Sequence, residues 1–391
     1  MDVEGIELPE DVLAEILSRV PAKSLIRFKS VSKNWYSLIE NPTFISLHHT
    51  RAQPNDCLLL QRKDSLEYFI SLLPNETSFQ DLDLSFTGQG LKDNVWLQDC
   101  SNGVMCLSNY DYTVITMDPK IVICNPATRE FKILPQHPYP TRRTNLLGLA
   151  FFDPENIHCY KVVTVATLFE SDVKPYDVYD GYVSWSTPID NKIHVYDMGL
   201  DSWREIVAVV PTHFFECSDC RSCTSLGGDF YWWIWDYDTN VLSIAVMRVH
   251  QESFGRIPLP DILCYDPVFR RRWDTGFLFD MKDSFALAVF RYEHNEARFD
   301  IWVMEEYGVL ESSWTKKYSV GPLLEKFSLD RIRLKDEVLL IGVYDSCQMV
   351  SHNLSTQDTT DYNQLRHRSE LVLHRIFSYV ESLISINRLV L

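Results

Sequence analysis

Three thiols and an imidazole fall within eleven positions of this chain: Cys217, Cys220 and Cys223 at intervals of three, with His213 four residues upstream. Thiolates and imidazoles are the ligands that zinc selects. The set lacks a second ligand pair and departs from the spacing of common zinc knuckles, so the expectation is a metal-free polar loop ahead of a strand at Tyr231. Two carboxylate pairs, Asp236 with Asp238 and Glu305 with Glu306, meet the minimum for glycoside hydrolysis. Nothing in the sequence places either pair in a pocket. Trp232, Trp233 and Trp235, between Tyr231 and Tyr237, offer a sugar-stacking platform or an interaction hot spot. On alternating strand positions at least half of them must point into a core. His137, Tyr139, Arg142 and Arg143 lie in a Pro-rich loop, which reads either as a binding rim or as solvated charge. There is no G-x-S-x-G elbow, no H-E-x-x-H, no phosphate-cradling glycine loop and no dinucleotide fingerprint. The expectation is a chain without catalytic residues, metal or cofactor.

What positions these residues is a chain of 391 residues, long enough for more than one domain, with aromatic side chains at 13%. Its net charge of −17 repels phosphate backbones and anionic lipid. Nucleic acid and membrane surfaces are therefore poor partners. Residues 1–51 hold six basic and seven acidic side chains, so the surplus belongs to residues 52–391. Acidic runs stand near Asp172 to Asp180, Asp236 to Asp238 and Glu293 to Glu311. A field of that sign favours a basic partner, and it also serves solubility. No stretch approaches the roughly 20 apolar residues that span a bilayer, and the start MDVEGIELPED lacks the pattern of a signal peptide. A cytoplasmic or nuclear protein is expected, with its ten cysteines as thiols.

The organising stretch is Leu8 to Leu47. Pro9 costs no hydrogen bond in a first helical turn, and Glu10 and Asp11 favour the positive end of the helix dipole. Val12, Leu13, Ile16, Leu17 and Val20 recur at helical spacing until Pro21 stops the helix. Short helical pieces follow around Leu25, Ile26 and Phe28, around Trp35, Leu38 and Ile39, and after Asn41-Pro42 around Phe44, Ile45 and Leu47. Each is too short to stand alone in water. So small a bundle carries more large apolar side chains than it can hide, and some must face a partner.

From residue 57 the period changes to alternating. Cys57 to Leu60, Tyr68 to Leu72, Val104 to Leu107, Ile121 to Cys124 and Tyr160 to Val163 read as strands. A loose repeat of strand, polar turn and aromatic return centres on Phe131, Trp203, Phe254 and Trp314, spaced 72, 51 and 60 residues apart. Leu226-Gly227-Gly228-Asp229-Phe230 has the double glycine of a kelch blade. The spacing predicts about six four-stranded blades, with a stacked β-sandwich as the alternative. Closure by a final strand is expected from residues 379–390.

The run Leu8-Pro9-Glu10-Asp11, Glu15 to Pro21, Lys23-Ser24-Leu25, Arg27-Phe28-Lys29, Val31 to Trp35 and Asn41 to Phe44 resembles the F-box. That resemblance implies docking on a Skp-type adaptor, and through it on a cullin, by Leu8, Pro9, Val12, Ile16, Leu17, Val20, Pro21, Leu25, Phe28 and Trp35. The rest resembles the F-box-associated interaction domain of plant F-box proteins. The residues that carry this are Ser101-Asn102-Gly103, Cys124 to Phe131, Gly148 to Phe151, Tyr160 to Val163, Val195-Tyr196 with Asp201 to Arg204, and Ile301 to Gly308. Within that group it is most similar to the S-locus F-box branch, which implies a basic S-ribonuclease as target. The expected protein is α+β and multidomain: a helical F-box at 1–50, a connector at 51–56 and an all-β, kelch-like propeller at 57–391. It would be the substrate-recognition subunit of an SCF-type ubiquitin ligase. A ubiquitin-independent, adaptor-bound scaffold and a propeller hydrolase are the alternatives.

Overall fold

The computed structural model describes residues 8–387 apart from 52–56, 65–66, 75–79, 86, 88–94, 110–119, 139–143, 152–159, 170–177, 180–181, 184–187, 208–223, 227, 237–240, 265–275, 282–283, 294–295, 305–312, 324–326, 336–337, 344–348 and 363–370. The cysteine cluster with His213, together with Asp238, Glu305, Glu306, Tyr139, Arg142 and Arg143, lies outside the described residues.

Four helices come first. α1 (Glu10–Leu17) starts at Pro9 and ends a turn before Pro21, because Arg19 and Val20 donate to Ile16 and Leu17 three residues back and tighten the coil. α2 (Ala22–Phe28) follows Pro21 directly. α3 (Lys33–Glu40) is capped by Ser32, whose hydroxyl accepts from the Trp35 amide at 3.2 Å. α4 (Pro42–Arg51) completes the unit.

Strands follow in fours. β1 (Leu58–Asp64), β2 (Glu67–Leu73) and β3 (Gln80–Asp81) form the first group, and β4 (Trp96–Ser101), β5 (Val104–Ser108), β6 (Ile121–Asn125) and β7 (Glu130–Ile133) the second. The third has β8 (Thr144–Phe151) and β9 (Tyr160–Phe169), a separate hairpin of β10 (Val178–Tyr179) and β11 (Tyr182–Val183), then β12 (Pro188–Asp197) and β13 (Ser202–Ile206). β14 (Thr224–Leu226), β15 (Asp229–Asp236), β16 (Val241–Arg248) and β17 (Ser253–Ile257) make the fourth, followed by the short α5 (Asp261–Cys264). β18 (Gly276–Met281), β19 (Ser284–Glu293), β20 (Glu296–Met304) and β21 (Trp314–Leu323) make the fifth. The sixth holds β22 (Phe327–Lys335), β23 (Val338–Val343), β24 (Met349–Asn353) and β25 (Thr359–Tyr362), and β26 (Leu371–Ser378) ends the series.

These strands make six four-stranded sheets. Their innermost strands β26, β4, β8, β14, β18 and β22 each meet the next, and β22 returns to β26. The ring is closed: this is a six-bladed propeller.

The first blade has the order β26-β1-β2-β3, with Leu58 opposite Ser378 and Asp64 opposite Leu371. The closing strand therefore lies at Leu371–Ser378, upstream of the 379–390 expected from sequence. Both stretches are apolar, but the later one turns off the sheet and buries Leu383, Ile384 and Ile386 elsewhere. Closure is reinforced from the side chains: an Arg375 guanidinium nitrogen donates to the carbonyls of Leu97 (2.8 Å) and Gln98 (3.0 Å) on β4. One blade further on, a buried Asp99 carboxylate accepts from the Leu149 amide of β8 at 2.9 Å. Bare strand edges at the centre are thereby tied to their neighbours.

The repeated aromatics have a common job. Phe131, Trp203, Phe254 and Trp314 stand on the outer strands of blades two to five, each packed on the core it shares with the preceding blade. Trp203 donates its indole N–H to the Pro135 carbonyl at 2.8 Å, and Trp314 donates to Pro258 at 2.9 Å. In each case the carbonyl belongs to the chain leaving the preceding blade. Replacing either Trp by Phe keeps the ring and orphans a carbonyl, which should cost about 1 kcal/mol in urea unfolding. An unchanged midpoint in both variants would discard the clamp.

Trp232 and Trp233 correct the stacking-platform reading. They point to opposite faces of β15, Trp232 into the core with blade three and Trp233 into the core with blade five, and both are buried. The Trp235 side chain lies outside the described residues. His137 also leaves the candidate binding loop, since it is buried, its Nε2 lies 2.7 Å from the Thr164 hydroxyl, and it meets Trp203 edge to face.

Turns at one end of the propeller are tight. Arg129, Asp201 and Glu252, with φ of 60°, 49° and 49°, each end the turn between the third and fourth strands of a blade, and Gln357 (φ 64°) lies in the corresponding turn of blade six. Asn102 (φ 50°) and Gly103 (φ 76°) make the turn between the first two strands of blade two, at that same end.

Candidate adaptor-docking face

Val12 and Ile16 stand four residues apart on one stripe of α1, and Leu8 continues that spacing just ahead of the helix. All three are exposed, Ile16 at 49%. The other side of α1 turns Leu17 into a core with Ala22 and Leu25 of α2, Leu38 and Ile39 of α3, and Phe44 and Ile45 of α4. Val20, Phe28 and Trp35 are half-buried against that core, with Phe28 and Trp35 meeting edge to face at 5.6 Å. The ten candidate residues thus divide three ways. Leu8, Pro9, Val12, Ile16 and Pro21 face solvent, Leu17 and Leu25 are interior, and the remaining three bridge the two groups. Any partner meets the first group and depends on the second only for support.

Among the described residues of the helical unit, two further large apolar side chains are exposed: Val31 at 60% between α2 and α3, and Tyr36 at 53% on α3. Tyr36 falls off the stripe of Trp35, Leu38 and Ile39, and a large aromatic off a buried stripe was the signal available. Val31 lies between helices, where periodicity says nothing.

Two devices hold the face in shape. Arg51 reaches back from the end of α4 to pair with Glu15 at 2.5 Å and to donate to the Ser18 hydroxyl at 2.7 Å. Arg51 and Arg19 together hold the Glu15 carboxyl down at about 2. The second device is residues 379–387, which leave β26 and run as a strap between the helices and blade two. Asn125 donates from Nδ2 to the carbonyls of Ser382 (3.1 Å) and Ile384 (2.8 Å). Glu130 accepts from the Ser385 hydroxyl (2.7 Å) and the Ile386 amide (2.6 Å). Lys23 on α2 pairs with Glu381 at 3.0 Å. A Cβ on Gly103 would stand 2.3 Å from the Val380 carbonyl oxygen, so only glycine admits the strap here. Leu383, Ile384 and Ile386 thereby join the helical core to Val104, Ala127 and Met198 of the propeller in one buried cluster.

Two family models match this chain: one described as F-box associated beta propeller domain over residues 98–386, and one described as F-box domain over residues 6–47. The chain belongs to the F-box-associated β-propeller family. It is similar to an F-box protein of Arabidopsis thaliana, 28% identical over 352 residues that cover 88% of this chain and 84% of the relative. A second F-box protein of that plant is 25% identical over 358 residues, covering 88% and 79%. An F-box/kelch-repeat protein of Arabidopsis thaliana is 26% identical over 262 residues, covering 65% and 61%. In this F-box protein the segments Ser101-Asn102-Gly103 and Asn125 to Glu130 have a structural meaning: they are the seat of the strap.

The described residues of this F-box protein hold no group of three or more His, Cys, Asp or Glu side chains placed to bind a metal ion. Its described thiols are weak nucleophiles: burial pushes Cys57 up to about 11 and drives Cys100 and Cys106 well above the usual range. No described helix is long and apolar enough to cross a membrane.

Buried imidazoles give the F-box protein a pH dependence. Burial lowers His48, His49, His194 and His352 below their ordinary value of 6.5, so the unfolded chain binds protons that the folded chain refuses. Their contribution is fully present above 6.5 and is lost as pH falls from there toward the lowered values. Thermal midpoints should drop between pH 7.5 and about 5.5, before the carboxylates titrate. A midpoint flat over that interval would contradict the assignment.

Proposed function

We propose that this chain is the substrate-recognition subunit of an SCF-type ubiquitin ligase. The carrying observation is the exposed apolar stripe of Leu8, Val12 and Ile16 on a helix whose opposite side is packed into the core of the four-helix unit. Apolar surface left open on so small a unit is suited to an adaptor of the Skp type, which links it to a cullin. The propeller holds the target, and the chain works by positioning: it raises the local concentration of target lysines at the ubiquitin-charged enzyme and contributes no catalytic group. It acts in the cytoplasm or nucleus. The sequence marks shared with the S-locus branch favour a basic S-ribonuclease as target, and the acidic surplus of the propeller domain suits one.

Reconstitution with adaptor, cullin and ubiquitin-charged enzyme tests this, using a panel of purified S-ribonucleases. Ubiquitin transfer to at least one of them, dependent on the helices, is expected. Adaptor binding without transfer to any member would sink the choice of target. Failure to bind the adaptor would sink the receptor assignment and favour a propeller hydrolase, whereas adaptor binding with no ubiquitin transfer to any protein would favour an adaptor-bound scaffold.

A further inference from the structure

We infer that Asn125 and Glu130 of blade two, together with the Lys23–Glu381 pair, are positioning residues for ubiquitin transfer, an assignment that rests on the receptor reading above. Through the strap they hold the propeller at one orientation to the docking helices, and that orientation selects which lysines ubiquitin reaches.

Two kinds of contact join the domains through the strap. Leu383, Ile384 and Ile386 supply the apolar kind, between Leu17, Leu25 and Ile39 on the helices and Val104, Ala127 and Met198 on the propeller. Attraction of that kind grows with the area buried and has no direction, so it opposes separation more than rocking. Hydrogen bonds do have direction. Asn125 is fully buried, and its side chain is held at both ends: Oδ1 accepts from the Ala127 amide of its own turn at 2.9 Å, while Nδ2 donates to the carbonyls of Ser382 and Ile384. Gripping two positions at once, it fixes the register of the strap. Glu130, at the start of β7, takes the Ser385 hydroxyl and the Ile386 amide on one carboxylate oxygen. The root of the strap is fixed separately, where the Tyr379 amide donates to the Cys57 carbonyl at 3.0 Å. On the helix side Glu381 pairs with Lys23 of α2 at 3.0 Å, and His49 of α4 meets Asn102, the neighbour of the Gly103 on which the strap lies. Residues 379–386 are thus anchored on the entry to blade one, on blade two and on α2, and anchors at three separate points leave no axis to turn about.

Stability alone does not account for the polar anchors. Each buried bond replaces one to water and nets little over an apolar side chain of the same size. What a buried polar group adds is registry. In a receptor that contributes no catalytic group, placement of the acceptor lysine is its whole influence on the transfer step, and a misplacement of about 1 Å costs up to about a hundredfold where groups react. Rocking at the strap moves the distant blades most.

Spin labels on unnatural side chains at exposed positions 27 of α2 and 317 of β21 read the interdomain distance in the full chain, free and bound to its adaptor. One narrow distribution is expected. Its width should about double in Asn125→Ala with Glu130→Ala, grow less in Glu130→Ala alone, and return in Glu130→Gln, whose amide oxygen still accepts. Lys23→Glu should broaden it and Lys23→Glu with Glu381→Lys should restore it. Ile384→Val is the control, because it trims the apolar cluster and lowers the melting point but leaves the polar anchors in place; a merely structural role would make the width follow the melting point. In the reconstituted ligase, the chain's own lysines serve as acceptors and are mapped by peptide mass spectrometry. The share of the most modified lysine should fall about twofold or more in the double variant, with adaptor affinity held within about twofold. Glu130 is half-buried, so Glu130→Ala decides the matter even where the double variant unfolds. An unchanged width in Glu130→Ala, equal broadening in Ile384→Val, or wild-type modification that is absent or scattered evenly over the lysines would each overturn the assignment. Adaptor binding separates these outcomes from failure of the receptor reading, since a chain that binds no adaptor still gives its distance distributions.

Discussion

Removing residues 381–391 is expected to leave a chain that cannot hold its F-box in place and that melts far below the full-length protein. Leu383, Ile384 and Ile386 are all interior. Large aliphatic side chains removed from cores cost about 2–5 kcal/mol each, so the three together approach the 5–15 kcal/mol that typically separates folded from unfolded. The loss falls on a cluster that contains Leu17, Leu25 and Ile39 on one side and Val104 and Ala127 on the other, so both domains lose their shared interior. Asn125 would also keep two buried donors with no strap carbonyl to receive them. Circular dichroism melts of the two chains give the comparison, and midpoints within about 2 °C would refute it. Asn125→Ala offers a graded version, since it removes the hydrogen bonds and leaves the apolar contacts, and it should cost about 1–3 kcal/mol.

The second large effect concerns the adaptor. Ile16→Asp should lower adaptor affinity at least a hundredfold while the chain's own melting point barely moves. Ile16 is half exposed, and surface changes of this kind usually alter folding by less than about 0.5 kcal/mol. Within a docked interface the carboxylate would have to shed its water with no partner, a penalty of about 3 kcal/mol or more, and 1.4 kcal/mol is a factor of ten. Leu17→Asp is the instructive contrast: Leu17 is interior, so that variant should unfold the helices and lose binding for a different reason. Pro9→Ala with Ile16→Ala should fall between wild type and Ile16→Asp. Calorimetric titration with purified adaptor decides, and undiminished binding by Ile16→Asp would remove this face from the interface.

Much of the architecture was readable because local signals agreed. Pro9, Pro21, Ser32 and Pro42 mark the helix starts, and the apolar stripes between them have the helical period. The recurring outer-strand aromatics of blades two to five were visible as a repeat, because a residue that seals each blade against its predecessor recurs by necessity. What stayed hidden was long-range. Nothing local in Asn125 says that it bonds a carbonyl 259 residues away, although that bond explains why an asparagine stands there. The closing strand was misplaced for the same reason: Leu371–Ser378 and the strap are equally apolar, and only the partner decides which becomes a strand. At the docking face, spacing identified the helices, but it did not separate Ile16, which faces out, from its neighbour Leu17, which faces in. That distinction belongs to the packing of four helices together.

The order in which the blades are completed has a bearing on synthesis. The F-box helices and β1 to β3 emerge from the ribosome early, yet β26, the inner strand of their blade, and the residues that seal the helical core emerge after every other described strand. Until then the nascent chain carries an open sheet edge and an unfinished helical bundle, the two features that chaperones hold and that aggregation exploits. A ribosome that stalls before residue 386 therefore releases a polypeptide whose F-box is poorly mounted. Under the proposed function, recruitment of the ligase is in this way coupled to synthesis of the strap.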